Sequence, residues 1–84
     1  MVQVKLKLFA SLSRYLPDGA VNQTTEIEAP GTASIGSILG RLGVPPEECH
    51  LVLVNGVFVP PSQRTSATVA DGDTISVWPP VAGG

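Results

Sequence analysis

A chain of 84 residues is long enough for one compact domain with one core, and too short for a core plus a deep private substrate cleft. Hydrophobic residues make up 43% and charged residues 14%, which excludes a disordered chain and leaves a lightly charged surface. A net charge of −2, without any Lys/Arg run, excludes the basic stripe of a nucleic-acid surface.

The single Cys49 excludes a disulfide within the chain and fits a reducing compartment. No apolar run is long enough to span a membrane, and the N-terminus alternates instead of showing a signal peptide's continuous apolar segment. The expectation is a soluble cytoplasmic protein with neither nucleic-acid nor membrane partners.

Residues 2–9, VQVKLKLF, alternate strictly. This predicts a half-buried strand with Val2, Val4, Leu6 and Leu8 on one face and Gln3, Lys5, Lys7 and Phe9 on the other. FASLSRYLPDG follows as a turn of helix or a loop, closed by Pro17-Asp18-Gly19. Residues 22–29 form a more polar second strand, with Glu26 and Glu28 opposite Thr25 and Ile27. Its charge fits a sheet edge, where it discourages pairing with a stray chain.

Pro30-Gly31 breaks that strand, and TASIGSILGRLG predicts a helix capped by Thr32 or Ser34. Ile35, Ile38, Leu39 and Leu42 make one apolar stripe. Gly43 stops the helix and Pro45-Pro46 forbids its continuation. Gly36 and Gly40 each cost about 1 kcal/mol against Ala, so packing must hold this helix. HLVLVNGVFV predicts a hairpin whose Asn55-Gly56 turn tolerates positive φ at both residues. A loop, PPSQRTSATVADGD, leads through Asp71-Gly72 to a last strand, TISVW, with Ile75 and Val77 inward and Thr74, Ser76 and Trp78 outward.

Strand, strand, helix, strand, strand, strand is the order of a two-layer α+β domain: a small mixed sheet with one main helix on one face. It fits the β-grasp arrangement of ubiquitin-like proteins, which implies first and last strands parallel and adjacent at the centre. The domain is assigned to 1–78 and a flexible C-terminal tail to 79–84.

Self-contained catalytic chemistry is absent from the pattern. Cys49 and His50 are neighbours, so in extended chain they face opposite ways and make neither a metal pair nor a catalytic one. A buried thiol beside a surface imidazole is expected, with no metal site. Glu47 and Glu48 read as solvated loop carboxylates rather than an acid–base pair. Neither GxxxxGK[ST] nor GxGxxG occurs.

The aromatics are more informative. Alternation puts Phe9 and Trp78 on the helix-free face of the sheet, where parallel first and last strands would bring the rings together as a binding surface. The tail starts beside them. Pro79-Pro80 favours extended geometry at roughly 3.1 Å per residue, so Pro79 to Gly84 reaches at most about 20 Å. Val81 and Ala82 continue it, and Gly83 and Gly84 lack Cβ atoms and thread a narrow channel. That geometry suits a carboxylate presented to another protein's active site.

Taken together, VKLKLFASL, LVLVNGVFV and DGDTISVWPPVAGG resemble the MoaD/ThiS family of ubiquitin-like sulfur carriers. The resemblance covers essentially the whole chain and is strongest for the MoaD branch, the small subunits of molybdopterin synthase, through its Pro-Pro-Val-x-Gly-Gly ending. It implies a non-enzyme whose Gly84 carboxylate is adenylated by an E1-like enzyme of the MoeB/ThiF type. That enzyme uses ATP; no cofactor is bound by the carrier itself. A sulfur-donor protein then makes the thiocarboxylate, which enters a MoaE-type catalytic large subunit for molybdenum cofactor biosynthesis. It also implies partner contacts at Phe9, Phe58 and Trp78. Family members often carry Arg where this chain has Ser13, with Arg14 next, and the PPSQRTSAT loop is longer than in compact members. Other readings are a carrier for thiamin thiazole, cysteine or tungsten cofactor synthesis, a ubiquitin-like modifier of lysines, and an interaction domain with an inert tail.

Overall fold

A computed structural model describes residues 1–80. It contains five strands, β1 (Val2–Leu8), β2 (Thr24–Ala29), β3 (Leu51–Val54), β4 (Val57–Phe58) and β5 (Thr74–Trp78), and one α-helix, α1 (Ile35–Arg41). The sheet runs β2-β1-β5-β3-β4. β1 and β5 lie parallel at its centre, with Leu6 opposite Ile75 and Leu8 opposite Val77. The remaining pairs are antiparallel. This is the expected β-grasp sheet, with β2 on an edge.

Period two sorts the strand residues as predicted. Val4, Leu6, Leu8, Val52, Ile75 and Val77 are buried on the α1 side against Ile35, Ile38 and Leu39. Leu12, Val44, Cys49, Val59 and Val69 close the flanks of this core. Each fully buried aliphatic side chain contributes roughly 1.5–3 kcal/mol, so a single contiguous cluster dominates the fold's stability.

Four local readings change. The first strand stops at Leu8, and Phe9 already belongs to the entrance of a 3-10 turn over Ala10–Tyr15. The second begins at Thr24, because Asn22 and Gln23 both adopt positive φ (54° and 62°) in a tight turn closed by a Val21–Thr24 bridge. Asn55 and Gly56 show the same paired geometry (52° and 84°) in the turn that was expected. The helix has seven residues, shorter than its sequence stripe, with Leu42 just beyond it. Ser34, not Thr32, caps it, accepting a hydrogen bond from the Ser37 amide at 3.1 Å.

The 60–73 segment is not a plain loop. Its carbonyls at Arg64 and Ala67 accept the Gly36 and Ile35 amides at 2.8 and 3.0 Å, satisfying donors that a helix start leaves free. A Cβ on Gly36 would lie 3.3 Å from the Arg64 carbonyl oxygen, closer than an ordinary van der Waals contact, so this close approach favours glycine. Gly40 has nothing within 4 Å of its Cβ position. At the far end Asp71 accepts the Gln3 amide at 2.8 Å. Asn55 bonds Asp73 and the Thr74 amide, tying the β3–β4 turn to the start of β5.

No helix among the described residues is long and apolar enough to cross a membrane.

Candidate functional site at the root of the C-terminal arm

The β1/β5 register determines the centre of the site. With Leu8 opposite Val77, the next residue on each strand, Phe9 and Trp78, falls on the helix-free face side by side. Their rings stack at a centroid distance of 4.5 Å and an interplanar angle of 5°. The Phe9 amide donates to the Val77 carbonyl at 3.1 Å, and Ala10 then turns the chain away at φ 52°. Both rings are half-buried, each covering a face of the other.

Strand β3 extends the surface. Leu51 pairs with Trp78, and Leu53 pairs with both Ser76 and Phe58. Paired residues share a face, so Phe9, Trp78, Leu51, Leu53 and Phe58 make one apolar strip running to the β4 edge. Phe58 is its most open member, 52% exposed. None of the five belongs to the core cluster or packs against it. Lys5 and Lys7 lie on the same face beside Thr74 and Ser76 and opposite Glu26 and Thr24 of β2.

The predicted Phe9–Trp78 contact and the placement of Phe58 therefore coincide in one patch. Leu51 and Leu53 were not foreseen, because Leu-Val-Leu-Val is apolar at every position and hides its alternation. The signal was nevertheless present: a two-residue Asn55-Gly56 turn dictates Val54–Val57 and Leu53–Phe58 pairing.

At the strip's end the His50 amide donates to the Trp78 carbonyl at 3.0 Å, and the chain leaves the sheet at Pro79. Pro79 is half-buried and Pro80 exposed. The tail positions Val81, Ala82, Gly83 and Gly84 lie outside the described residues.

The Cys49–His50 reading holds in its geometry: Cys49 is buried and His50 exposed. Burial pushes the Cys49 thiol above its ordinary value, opposed by the nearby Arg64 charge and reinforced by Glu48 and Glu47. Glu48 is not a freely solvated carboxylate as expected. Arg14 donates to its Oε1 at 2.9 Å and the Tyr15 hydroxyl to its Oε2 at 3.1 Å, joining the 3-10 turn to the 46–48 turn. The hydrogen bond to the Tyr15 hydroxyl and that group's charge, with the charge of Glu48, raise the Arg14 guanidinium above its ordinary value. No group of three or more potential metal ligands occurs among the described residues.

Arg64 escaped the sequence reading entirely. The residue is 8% exposed, and its guanidinium donates to the carbonyls of Val59, Cys49 and His50. It thereby holds together the end of β4 and the segment before β3, including the His50 backbone that fixes Trp78.

Comparison with known proteins agrees with this architecture. The family model described as Mut7-C ubiquitin matches residues 1–83. The small archaeal modifier protein 1 of Haloferax volcanii superposes with a TM-score of 0.68 at 26% identity, covering 96% of this chain and 100% of that one. The Haloferax volcanii HVO 2177 protein gives 0.75 at 26% identity, over 99% and 87%. A putative molybdopterin converting factor subunit 1 from Pyrococcus furiosus gives 0.67 at 24%, over 96% and 100%. A search of curated protein sequences returned no match. The chain belongs to the Mut7-C ubiquitin family, with a ubiquitin-like β-grasp fold of the MoaD/ThiS kind.

Proposed function

We propose that this protein is a sulfur carrier that bears its sulfur as a thiocarboxylate on Gly84 and donates it in molybdopterin biosynthesis. The observation that carries the reading is the apolar strip ending at the root of the arm. Phe9, Trp78 and Phe58 offer a partner a rigid grip beside the point where the chain leaves β5. A grip so placed delivers a fixed length of tail to a partner's active site. The MoaD-like Pro-Pro-Val-x-Gly-Gly ending supports the molybdopterin branch.

The chemistry follows from the weak electrophilicity of a carboxylate. A Gly84 carboxylate oxygen attacks the α-phosphorus of ATP on an E1-like enzyme, and pyrophosphate leaves. The terminal sulfur of a donor protein's persulfide then attacks the acyl-adenylate carbonyl, and AMP leaves with the oxygen. A thiol next attacks the inner sulfur of the resulting acyl persulfide, so that its S–S bond breaks to release the Gly84 thiocarboxylate and leave a disulfide. ATP belongs to the activating enzyme, and the carrier needs no catalytic group of its own. The thiocarboxylate next enters a catalytic large subunit, where sulfur passes to the pterin precursor. All of this takes place in the cytoplasm.

Intact-mass measurement after incubation with an E1-like enzyme, ATP and a sulfur donor tests the reading. One oxygen-to-sulfur exchange localised to Gly84 is expected, and no exchange under conditions that charge a control carrier sinks it. Complementation of a strain lacking the small subunit of molybdopterin synthase separates this branch from thiazole, cysteine or tungsten-cofactor carriers. A second reading, a protein modifier joined to lysines through Gly84, is favoured by the likeness to small archaeal modifier protein 1. Gly-Gly remnants on lysines of cellular proteins would support it.

A further inference from the structure

On the other side of the sheet, α1, the segment before β3 and the turn after β4 surround a pocket of about 200 Å³. Leu39, Val44 and Pro61 form apolar walls, and Cys49 and Arg64 also line it. Thr65 stands exposed among the lining residues.

Arg64 is the unusual member. A guanidinium has five N–H groups, and three of these are donated to neutral carbonyls. Its charge has no carboxylate partner: among the described residues the sole ion pair is Arg14–Glu48. A cation withdrawn this far from water, without an opposite charge, has its desolvation only partly offset. The nearby carboxylates do not compete for it, since Glu48 is held by Arg14 and Tyr15 and Glu47 faces solvent.

We propose that this pocket binds a short aliphatic carboxylate. The carboxylate takes the two uncommitted Arg64 N–H groups, the bidentate arrangement that guanidinium favours, and the alkyl chain packs on Leu39, Val44 and Pro61. The volume sets the size, because pockets for drug-sized ligands occupy roughly 300–1,000 Å³. This inference does not depend on the sulfur-carrier reading.

The test uses the wild-type chain titrated with sodium butanoate, and separately with butanamide, followed by backbone amide NMR. Cys49, the only cysteine, reports by alkylation, and Trp78, the only tryptophan, reports on the opposite face. Butanoate at millimolar concentration should move the Gly36 and Thr65 amides saturably, slow Cys49 alkylation and leave Trp78 fluorescence unchanged. Butanamide should bind roughly tenfold or more weakly, the loss of a charge-assisted contact. Thr65→Trp, a substitution at an exposed lining residue, should abolish the butanoate effect. Equal binding of amide and carboxylate, shifts centred on Phe9 and Trp78, or no saturable shift would each overturn the proposal. Retention of butanoate binding in a folded Thr65→Trp variant would do so too. The amide comparison needs no variant, so it decides the matter even if Thr65→Trp misfolds.

Discussion

Gly36 and Gly40 are two glycines in one short helix, and the same substitution should act on them in opposite directions. Glycine within a helix costs about 1 kcal/mol relative to alanine. Gly40→Ala should recover up to about that amount, because its new methyl meets nothing within 4 Å. Gly36→Ala gains the same propensity term but sets its methyl 3.3 Å from the Arg64 carbonyl oxygen and 3.7 Å from Thr65 Cγ2. That carbonyl has little room to retreat: it accepts the Gly36 amide at 2.8 Å, and the Arg64 side chain is anchored to three carbonyls. Overpacking of this sort costs about 1–3 kcal/mol, so the net is a loss of about 1 kcal/mol. The two variants should then differ by about 2 kcal/mol, or about 10 °C in Tm for a domain of this size. Urea and thermal unfolding followed by circular dichroism would measure the difference. If Gly36→Ala proves as stable as Gly40→Ala, the backbone of residues 64–65 yields easily and the account of a rigid Arg64 anchor is wrong.

Arg64→Met should destabilise the domain by about 3 kcal/mol or more, since it removes three charge-assisted hydrogen bonds and strands buried carbonyls; chemical denaturation would show it. The Cys49 thiol has a folded-state pKa raised above its ordinary value of 9.0, so its contribution is complete below that value. As pH rises above it, the unfolded chain loses this proton first. Stability should fall by at most about 1.4 kcal/mol per pH unit until the folded thiol also ionises. Cys49→Ala should flatten that part of the pH–stability curve. Phe58→Ala, at a 52% exposed residue, should change unfolding free energy by no more than about 0.5 kcal/mol. The same change should weaken binding to an activating or catalytic partner by about 1 kcal/mol or more in calorimetry. Equal affinity for that partner would remove Phe58 from the interface.

Wherever one pattern dominated, the fold was legible in the sequence. VQVKLKL alternates cleanly, and the structure buries Val4, Leu6 and Leu8. Asn55-Gly56 marked its turn because few other pairs accept positive φ twice. Asn22-Gln23 adopts the same geometry without a glycine, so it passed for strand. Phe9 and Trp78 could be brought together only through the parallel β1–β5 pairing, a long-range contact that no local period encodes and that entered through the fold. Leu51 and Leu53 were hidden for a different reason: an all-apolar strand shows no polar face to define its outside. Arg64 was invisible because a lone arginine in a Ser/Thr/Pro-rich loop looks solvated. Only the folded backbone reveals three carbonyls converging on it.

The position of β5 has a mechanical consequence. The arm continues the middle strand of the five, which is hydrogen-bonded on both sides, to β1 and to β3. Pro79 and Pro80 lack amide hydrogens, so neither can donate to a continued ladder, which ends at the Trp78 carbonyl under the His50 amide. A tensile load applied through the arm is therefore borne along β5 in shear. Both flanking rows of hydrogen bonds resist together, instead of parting one at a time as at a peeled edge. A partner can draw the arm taut without unzipping the domain that carries it.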